Sequence, residues 1–238
     1  LKTGAALCDF LGGIHLYAGI TSALYQREQT GQGAVLDISM QDCVFPTLST
    51  ALGAYFQAGE QRPRTGNRHP ALSAAPYNVY RANDGHVAMI CIRDGHWRNL
   101  CVAMQRPELI DDARFVDMKS RAQNMDELDR QIERWTQPLC KDEIFAIAQQ
   151  HDVICAPVQN LADVVDDPHM HERGSLHWHP QETSADVLLM STPIRFQGLD
   201  APGPQDVAPL GAHTDEVLHE LLDLDEAQIA ALREAEAI

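Results

Sequence analysis

Thr3-Gly4-Ala5-Ala6-Leu7-Cys8-Asp9-Phe10-Leu11-Gly12-Gly13-Ile14-His15 is the stretch on which the reading of the fold turns. A small-residue, irregular entry gives way at Asp9 to a helical pattern. Ile14, Tyr17, Ala18, Ile20, Thr21 and Leu24 recur at the spacing of a buried helix face. The N–H groups that open a helix are unpaired and carry partial positive charge. An aspartate held there stays ionised, the state in which it can act as a nucleophile. Gly12 and Gly13 remove side chains beside it, leaving room for a large ligand. The plainer reading of the same residue is a helix cap. Past the helix, Thr30-Gly31-Gln32-Gly33 supplies a glycine for the left-handed position beyond a helix end. It lacks the lysine of a phosphate-binding loop and reads as a helix-to-strand turn.

Outward from that helix, Val35, Ile38 and Met40 predict a short buried strand. Residues 41–57 return to helical spacing, with Val44, Leu48, Leu52 and Tyr55 on one face. Between Gly59 and Pro76 periodicity stops and Gly, Pro and Arg crowd together, a linker composition. Arg62, Arg64 and Arg68 make this the densest positive charge in the chain. Guanidinium forks match phosphate and carboxylate groups, so the segment could meet an anionic ligand. Its alternative is a solvated linker.

From Tyr77 to Leu161 the pattern is α+β. Tyr77, Val79, Val87, Met89 and Cys91 alternate around Asn83-Asp84-Gly85, a hairpin signal. Asp94 is expected to cap a helix carrying Trp97, Leu100 and Met104. Helices follow at 121–136 and 141–150, the latter with Ile144, Phe145 and Ile147 inward. Residues 162–205 hold a short acidic helix from Asp163 to Asp167 and strand-like pieces at Ser175–Trp178 and Val187–Met190. His169-x-His171 and His177-x-His179 would each share a face on a strand, but no acidic or Cys ligand has matching spacing. They read as structural or surface histidines, and no metal is expected. Pro202-Gly203-Pro204 forms a last linker. His213-Thr214-Asp215-Glu216 and Asp225-Glu226 then open two closing helices, acids in the first turn complementing the dipole.

An apolar fraction of 45% in 238 residues suits a folded chain with a real core. A formal charge of −16 argues against nucleic acid or an anionic membrane as partner. No apolar run approaches the length that spans a bilayer. The six cysteines are scattered without a C-x-x-C pair, which suits a reducing compartment, and the cytoplasm is the expected location. Cys8, beside Asp9, is a rival nucleophile, but no base follows at a recognisable spacing and His15 lies two turns on.

The chain resembles the class III CoA-transferase family, of CaiB/BaiF type, which includes formyl-CoA transferase, carnitine CoA-transferases and the 2-methylacyl-CoA racemases. The residues that carry the likeness are Gly4-Ala5-Ala6-Leu7-x-Asp9, Ala23-Leu24-x-x-Arg27, Thr30-Gly31-x-Gly33 and Val35 to Met40. They continue through Thr65-Gly66-Asn67-Arg68-His69-Pro70, Ala75-Pro76-Tyr77-x-x-Tyr80, Asp84-Gly85, Trp97 and Arg121, and end at Leu210-Gly211-x-His213-Thr214-Asp215-Glu216-Val217-Leu218. The resemblance implies an α/β fold: the carboxy-terminal portion of the family fold, a partial large α/β domain with an inserted small α+β domain. Residues 1–58 would carry the catalytic aspartate in the large domain. Residues 59–76 would be a linker, 77–161 the small domain, 162–205 the linker and strands returning to the large domain, and 206–238 its last helices. Family members carry a long amino-terminal part holding much of the CoA site, so the chain is expected to be a fragment.

By that resemblance Asp9 is the catalytic nucleophile and Gly66, Asn67 and Arg68 approach the substrate. Coenzyme A is then a substrate, with no tightly bound cofactor, and the complete protein is an interlocked homodimer acting on an acyl-CoA and a carboxylic acid. Backbone N–H groups near Gly12-Gly13 or Gly66-Asn67 are candidate oxyanion donors. Pro70-Ala71-Leu72-Ser73-Ala74 stands where the formyl-CoA branch has a glycine-rich loop, which argues against formyl-CoA or oxalate as substrate. Two alternatives stand beside transfer. One is a racemase in which Asp9 is an acid/base partner; the other is an inactive fragment or interaction module.

Overall fold

The computed structural model describes residues 4–58, 64–180, 186–199 and 208–238. Arg62 and Pro202-Gly203-Pro204, singled out above, lie outside the described residues. The chain divides into two compact units, Leu1–Val158 and Gln159–Ile238.

The first unit opens with α1 (Leu7–Thr30), 24 residues ended by Gly31 at φ 69°, whose N–H returns to the Arg27 carbonyl at 2.8 Å. A left-handed residue there satisfies an orphan carbonyl, as the turn chemistry implied. α2 (Met40–Val44) is capped by the Ser39 hydroxyl, which accepts from the Asp42 N–H. A 3-10 turn (Phe45–Leu48), with Pro46 in its first turn, leads into α3 (Ser49–Ala58).

Three expectations are corrected here. Residues 32–39 form no strand, and Val35 is fully exposed. A strand needs a neighbouring ladder to bond, and none stands beside this segment among the described residues. The apolar side of α1 is not buried: Ile14, Tyr17, Ile20 and Leu24 are all exposed, and Gly12 alone is buried. Finally, α1 is long and apolar enough to cross a bilayer by length and composition, its best 18-residue window averaging a hydropathy of 1.2. Interspersed Gly, Ala and Thr hide this in a search for contiguous apolar runs; a core helix of a soluble protein passes the same test.

The rest of the first unit is an α+β structure. β1 (Tyr77–Arg81) and β2 (His86–Ile90) form an antiparallel hairpin with Tyr80 opposite Val87 and Arg81 opposite His86. β3 (Cys155–Pro157) adds antiparallel to β2, giving the order β1-β2-β3. Helices α4 (Asp94–Ala103), α5 (Met118–Gln123), α6 (Met125–Thr136) and α7 (Lys141–Gln150) accompany the sheet. The core joins Tyr80, Val87 and Cys91 to Trp97, Leu100, Phe115, Leu128, Ile132 and Ile144. The helix expected over 121–136 is two, parted at Asn124. Ile144 is buried as expected, whereas Phe145 is exposed.

Asp94 does not cap α4. The capping position is Arg93, and Asp94 instead bonds the guanidinium of Arg121 at 2.7 Å. Arg121 is wholly buried, donating also to the carbonyls of Ala75 at 2.9 Å and Phe115 at 3.0 Å, with its guanidinium carbon 5.7 Å from the Trp97 ring centre. A buried cation persists only with such partners.

In the second unit, α8 (Leu161–Val165) and α9 (Pro168–Glu172) precede an antiparallel pair, β4 (Leu176–His179) and β5 (Val187–Met190). His169 and His171 lie on helix α9, not on a strand, so they do not share a face. α10 (Thr214–Leu222) and α11 (Glu226–Glu234) close the chain. Asp225 caps α11, exchanging hydrogen bonds with Gln228 at 2.9 Å each.

Candidate functional site

Asp9 occupies the third position of α1. Ala6 is the capping residue and offers no side-chain bond, so Asp9 is not the cap that the plainer reading made it. It lies at the positive end of the helix, where the dipole favours a carboxylate. Its side chain is exposed, and among the described residues it makes no hydrogen bond or ion pair. Cys8 beside it is a free, exposed thiol. His15, the nearest imidazole along the helix, turns its Nδ1 to the Leu11 carbonyl at 2.8 Å and so is engaged within its own helix.

The two glycines after Asp9 differ. A side chain at Gly12 would come within 3.3 Å of the Met40 side chain, whereas one at Gly13 would meet nothing. Gly12 therefore lets α2 approach α1, a packing role, while Gly13 keeps the open space read from the sequence. Both glycines sit inside the helix, where N–H groups bond carbonyls four residues back. They are not open to an oxyanion.

Gly66, Asn67 and Arg68 form a turn closed on itself. The Arg68 N–H donates to the Thr65 carbonyl at 3.3 Å, and the Thr65 hydroxyl donates to the Arg68 carbonyl at 3.1 Å. Gly66 has φ 65°, a region that side chains disfavour. The Arg68 guanidinium does not point to open solvent: Nε and Nη2 donate to Asp129 Oδ2 at 2.9 and 2.6 Å, and Nη2 to Asp126 Oδ1 at 2.7 Å. Burial works against its charge, but the bonds to Asp126 and Asp129 prevail and hold its pKa above the ordinary guanidinium value. Asp129 also accepts from the Tyr80 hydroxyl at 2.7 Å and the Asn78 amide at 3.0 Å. Burial, and then the Asp129 charge, push the Tyr80 hydroxyl well above its usual range.

Asn67 lines a cavity of about 260 Å³ together with Tyr77, Val79, Ala88, Ile90 and Ala156. The lining is mostly apolar and includes no cation. The structure thus brings Asn67 and Arg68 to the hairpin; no hydrogen bond or ion pair joins Asp9 to either. Asp129 was missed by the sequence reading. Its signal was present: Asp126 and Asp129, three residues apart, share one face of a helix. Among the described residues no cluster of three His, Cys, Asp or Glu side chains is placed to hold a metal. His171 Nε2 is bonded to the Val165 carbonyl at 2.7 Å.

Three relatives can be set beside this geometry. Succinyl-CoA:mesaconate CoA-transferase of Haloarcula hispanica is 36% identical over 223 residues, 93% of this chain and 54% of that protein. The succinyl-CoA–L-malate CoA-transferase alpha subunit of Chloroflexus aurantiacus is 32% identical over 98% of this chain and 54% of its own length. The crystal structure of a CaiB/BaiF family protein from Brucella suis superposes with a TM-score of 0.75 at 29% identity, covering 93% of this chain and 57% of that one. The chain thus spans about half the length of the relatives it matches. Residues 1–214 match the family described as CoA-transferase family III, and on that match, with the mixed helix and strand structure common to its relatives, the chain belongs to that family.

Proposed function

We propose that the protein transfers coenzyme A from an acyl-CoA to a carboxylic acid, with Asp9 as the nucleophile. The observation that carries this is a carboxylate in the first turn of α1 that is exposed and, among the described residues, unpaired. An Asp9 oxygen attacks the thioester carbonyl; the C–S bond breaks and CoA thiolate leaves, giving a mixed anhydride. The thiolate attacks the aspartyl carbonyl and expels the donor acid, forming an aspartyl-CoA thioester. The acceptor carboxylate then attacks that thioester and releases the thiolate. The thiolate cleaves the second anhydride at the acceptor's carbonyl, forming the new acyl-CoA and restoring Asp9. One thioester is broken for each one made, so no ATP is consumed. Dividing the exchange into such displacements is the work of a covalent nucleophile.

Racemisation on the same fold is the second reading; the named transferase relatives favour transfer. Gly66 and Asn67 supply the substrate-facing turn, and their N–H groups are the remaining candidates for oxyanion stabilisation. The enzyme is read as cytoplasmic and as an interlocked homodimer, with the apolar side of α1 facing protein; the alpha subunit among its relatives offers assembly with a second kind of subunit as the alternative.

Turnover of succinyl-CoA with mesaconate tests the reading. Asp9→Asn is expected to lower kcat by about a thousandfold or more, as for loss of a covalent nucleophile. Hydroxylamine added during turnover should mark Asp9 in the unmodified protein. Normal rates in Asp9→Asn would exclude the mechanism, and α-carbon deuterium exchange without acceptor would decide for racemisation.

A further inference from the structure

We infer that Asp129 is a positioning residue: by gripping Arg68 it sets where the Thr65–Arg68 turn, and with it Asn67, stands against the cavity on the hairpin. The inference rests on the reading that this turn meets the substrate.

Side-chain bonds lead from the strand to the turn. Asp129 is recessed, its side chain 14% exposed, while that of Asp126 is 80% exposed. An ion pair with so exposed a partner contributes little, so the recessed carboxylate sets the geometry. Asp129 is itself oriented from β1: Tyr80 bonds one oxygen and Asn78 the other. Both donors sit on a strand paired to β2. Arg68 closes onto one oxygen of the same carboxylate, Oδ2, through both Nε and Nη2, two charge-assisted bonds that hold the edge of the guanidinium to Asp129. Because the turn is closed on itself by two hydrogen bonds between Thr65 and Arg68, anchoring one side chain anchors all four residues.

The same bonds redefine Arg68. Two carboxylates face one guanidinium, so the local field is net negative and repels a phosphate or carboxylate ligand. The sequence made Arg68 a candidate anion ligand. The geometry makes it the link between Asp129 and Asn67.

Amide hydrogen exchange and steady-state kinetics on the intact protein, with succinyl-CoA and mesaconate as probes, test this together. Asp129→Asn should speed exchange at residues 65–69 at least tenfold and lower kcat, leaving the KM for mesaconate within about threefold. Arg68→Lys, which keeps the charge but cannot fork, should do the same and serves should Asp129→Asn fold poorly. Asp129→Glu should recover part of the loss. Asn67→Ala should impair turnover without speeding exchange. If Asn67→Ala impairs turnover while Asp129→Asn and Arg68→Lys change neither readout, the proposal alone is overturned. If exchange quickens in Asp129→Asn and Arg68→Lys but turnover is normal in both and in Asn67→Ala, the positioning role and the turn's assignment to the substrate fall together. A mesaconate KM raised tenfold by Arg68→Lys but untouched by Asp129→Asn would make Arg68 a direct ligand and overturn the proposal.

Discussion

Asp9 and Arg121 are both charged residues quoted in the family likeness, and the structure separates them by kind. Asp9 is exposed and, among the described residues, unpaired; Arg121 is fully buried and bonded to two carbonyls and Asp94. A motif string does not distinguish an exposed carboxylate from a buried, fully bonded guanidinium, because it carries residue type and not surroundings. Arg121→Met should destabilise the first unit by about 2–4 kcal/mol, since it strands two buried carbonyls. Denaturant unfolding would measure this, and a loss below about 1 kcal/mol would contradict the packing described. Arg68 shows the limit of the sequence most plainly. Its partners lie 58 and 61 residues away, and nothing local to Thr65–Pro70 announces them.

Among the elements, those governed by short-range chemistry were legible. The hairpin around Asn83-Asp84-Gly85 and the helix starts at Thr214 and Glu226 stand where turn residues and acids placed them. The strands Leu176–His179 and Val187–Met190 also stand within a residue of where alternation put them, but the strand expected before α2 does not form. Residues 35–40 have the composition of a strand, yet a strand exists only by pairing. In the α+β part, acid should act unevenly. The Arg114 guanidinium draws the Asp112 carboxyl down to about 2. Glu108 beside Arg106, Asp117 accepting the Ser120 N–H, Glu127 beside Gln131 and Arg130, and Glu143 accepting the Cys140 N–H are all held below the ordinary carboxylate range. These groups bind protons more weakly folded than unfolded, so their stabilisation is present above about pH 4.5 and drains away as pH falls towards 2. Urea midpoints at pH 7, 4 and 3 should fall in that order. Each step should be small, because most of these carboxylates are exposed and screened.

At the scale of the whole molecule, the surface of α1 to α3 is unusual. Phe10, Ile14, Tyr17, Tyr25, Phe45 and Phe56 are each more than half exposed, and so many exposed large apolar side chains on neighbouring helices mark an interaction face or an aggregation liability. The 238-residue chain alone should therefore bind 1-anilinonaphthalene-8-sulfonate and self-associate. The double change Ile14→Glu, Tyr25→Glu should reduce both; a dye-silent, monodisperse chain would show that the face is covered in solution.

The α+β core behaves in the opposite way. Every side chain in it comes from one uninterrupted stretch, Leu72 to Cys155, with the third strand at its end. Such a stretch leaves the ribosome as a block and can condense during synthesis, without waiting for either flank. Residues 64–158 expressed alone should then melt as a single cooperative unit by calorimetry, which would make this block the nursery around which the remaining chain is assembled.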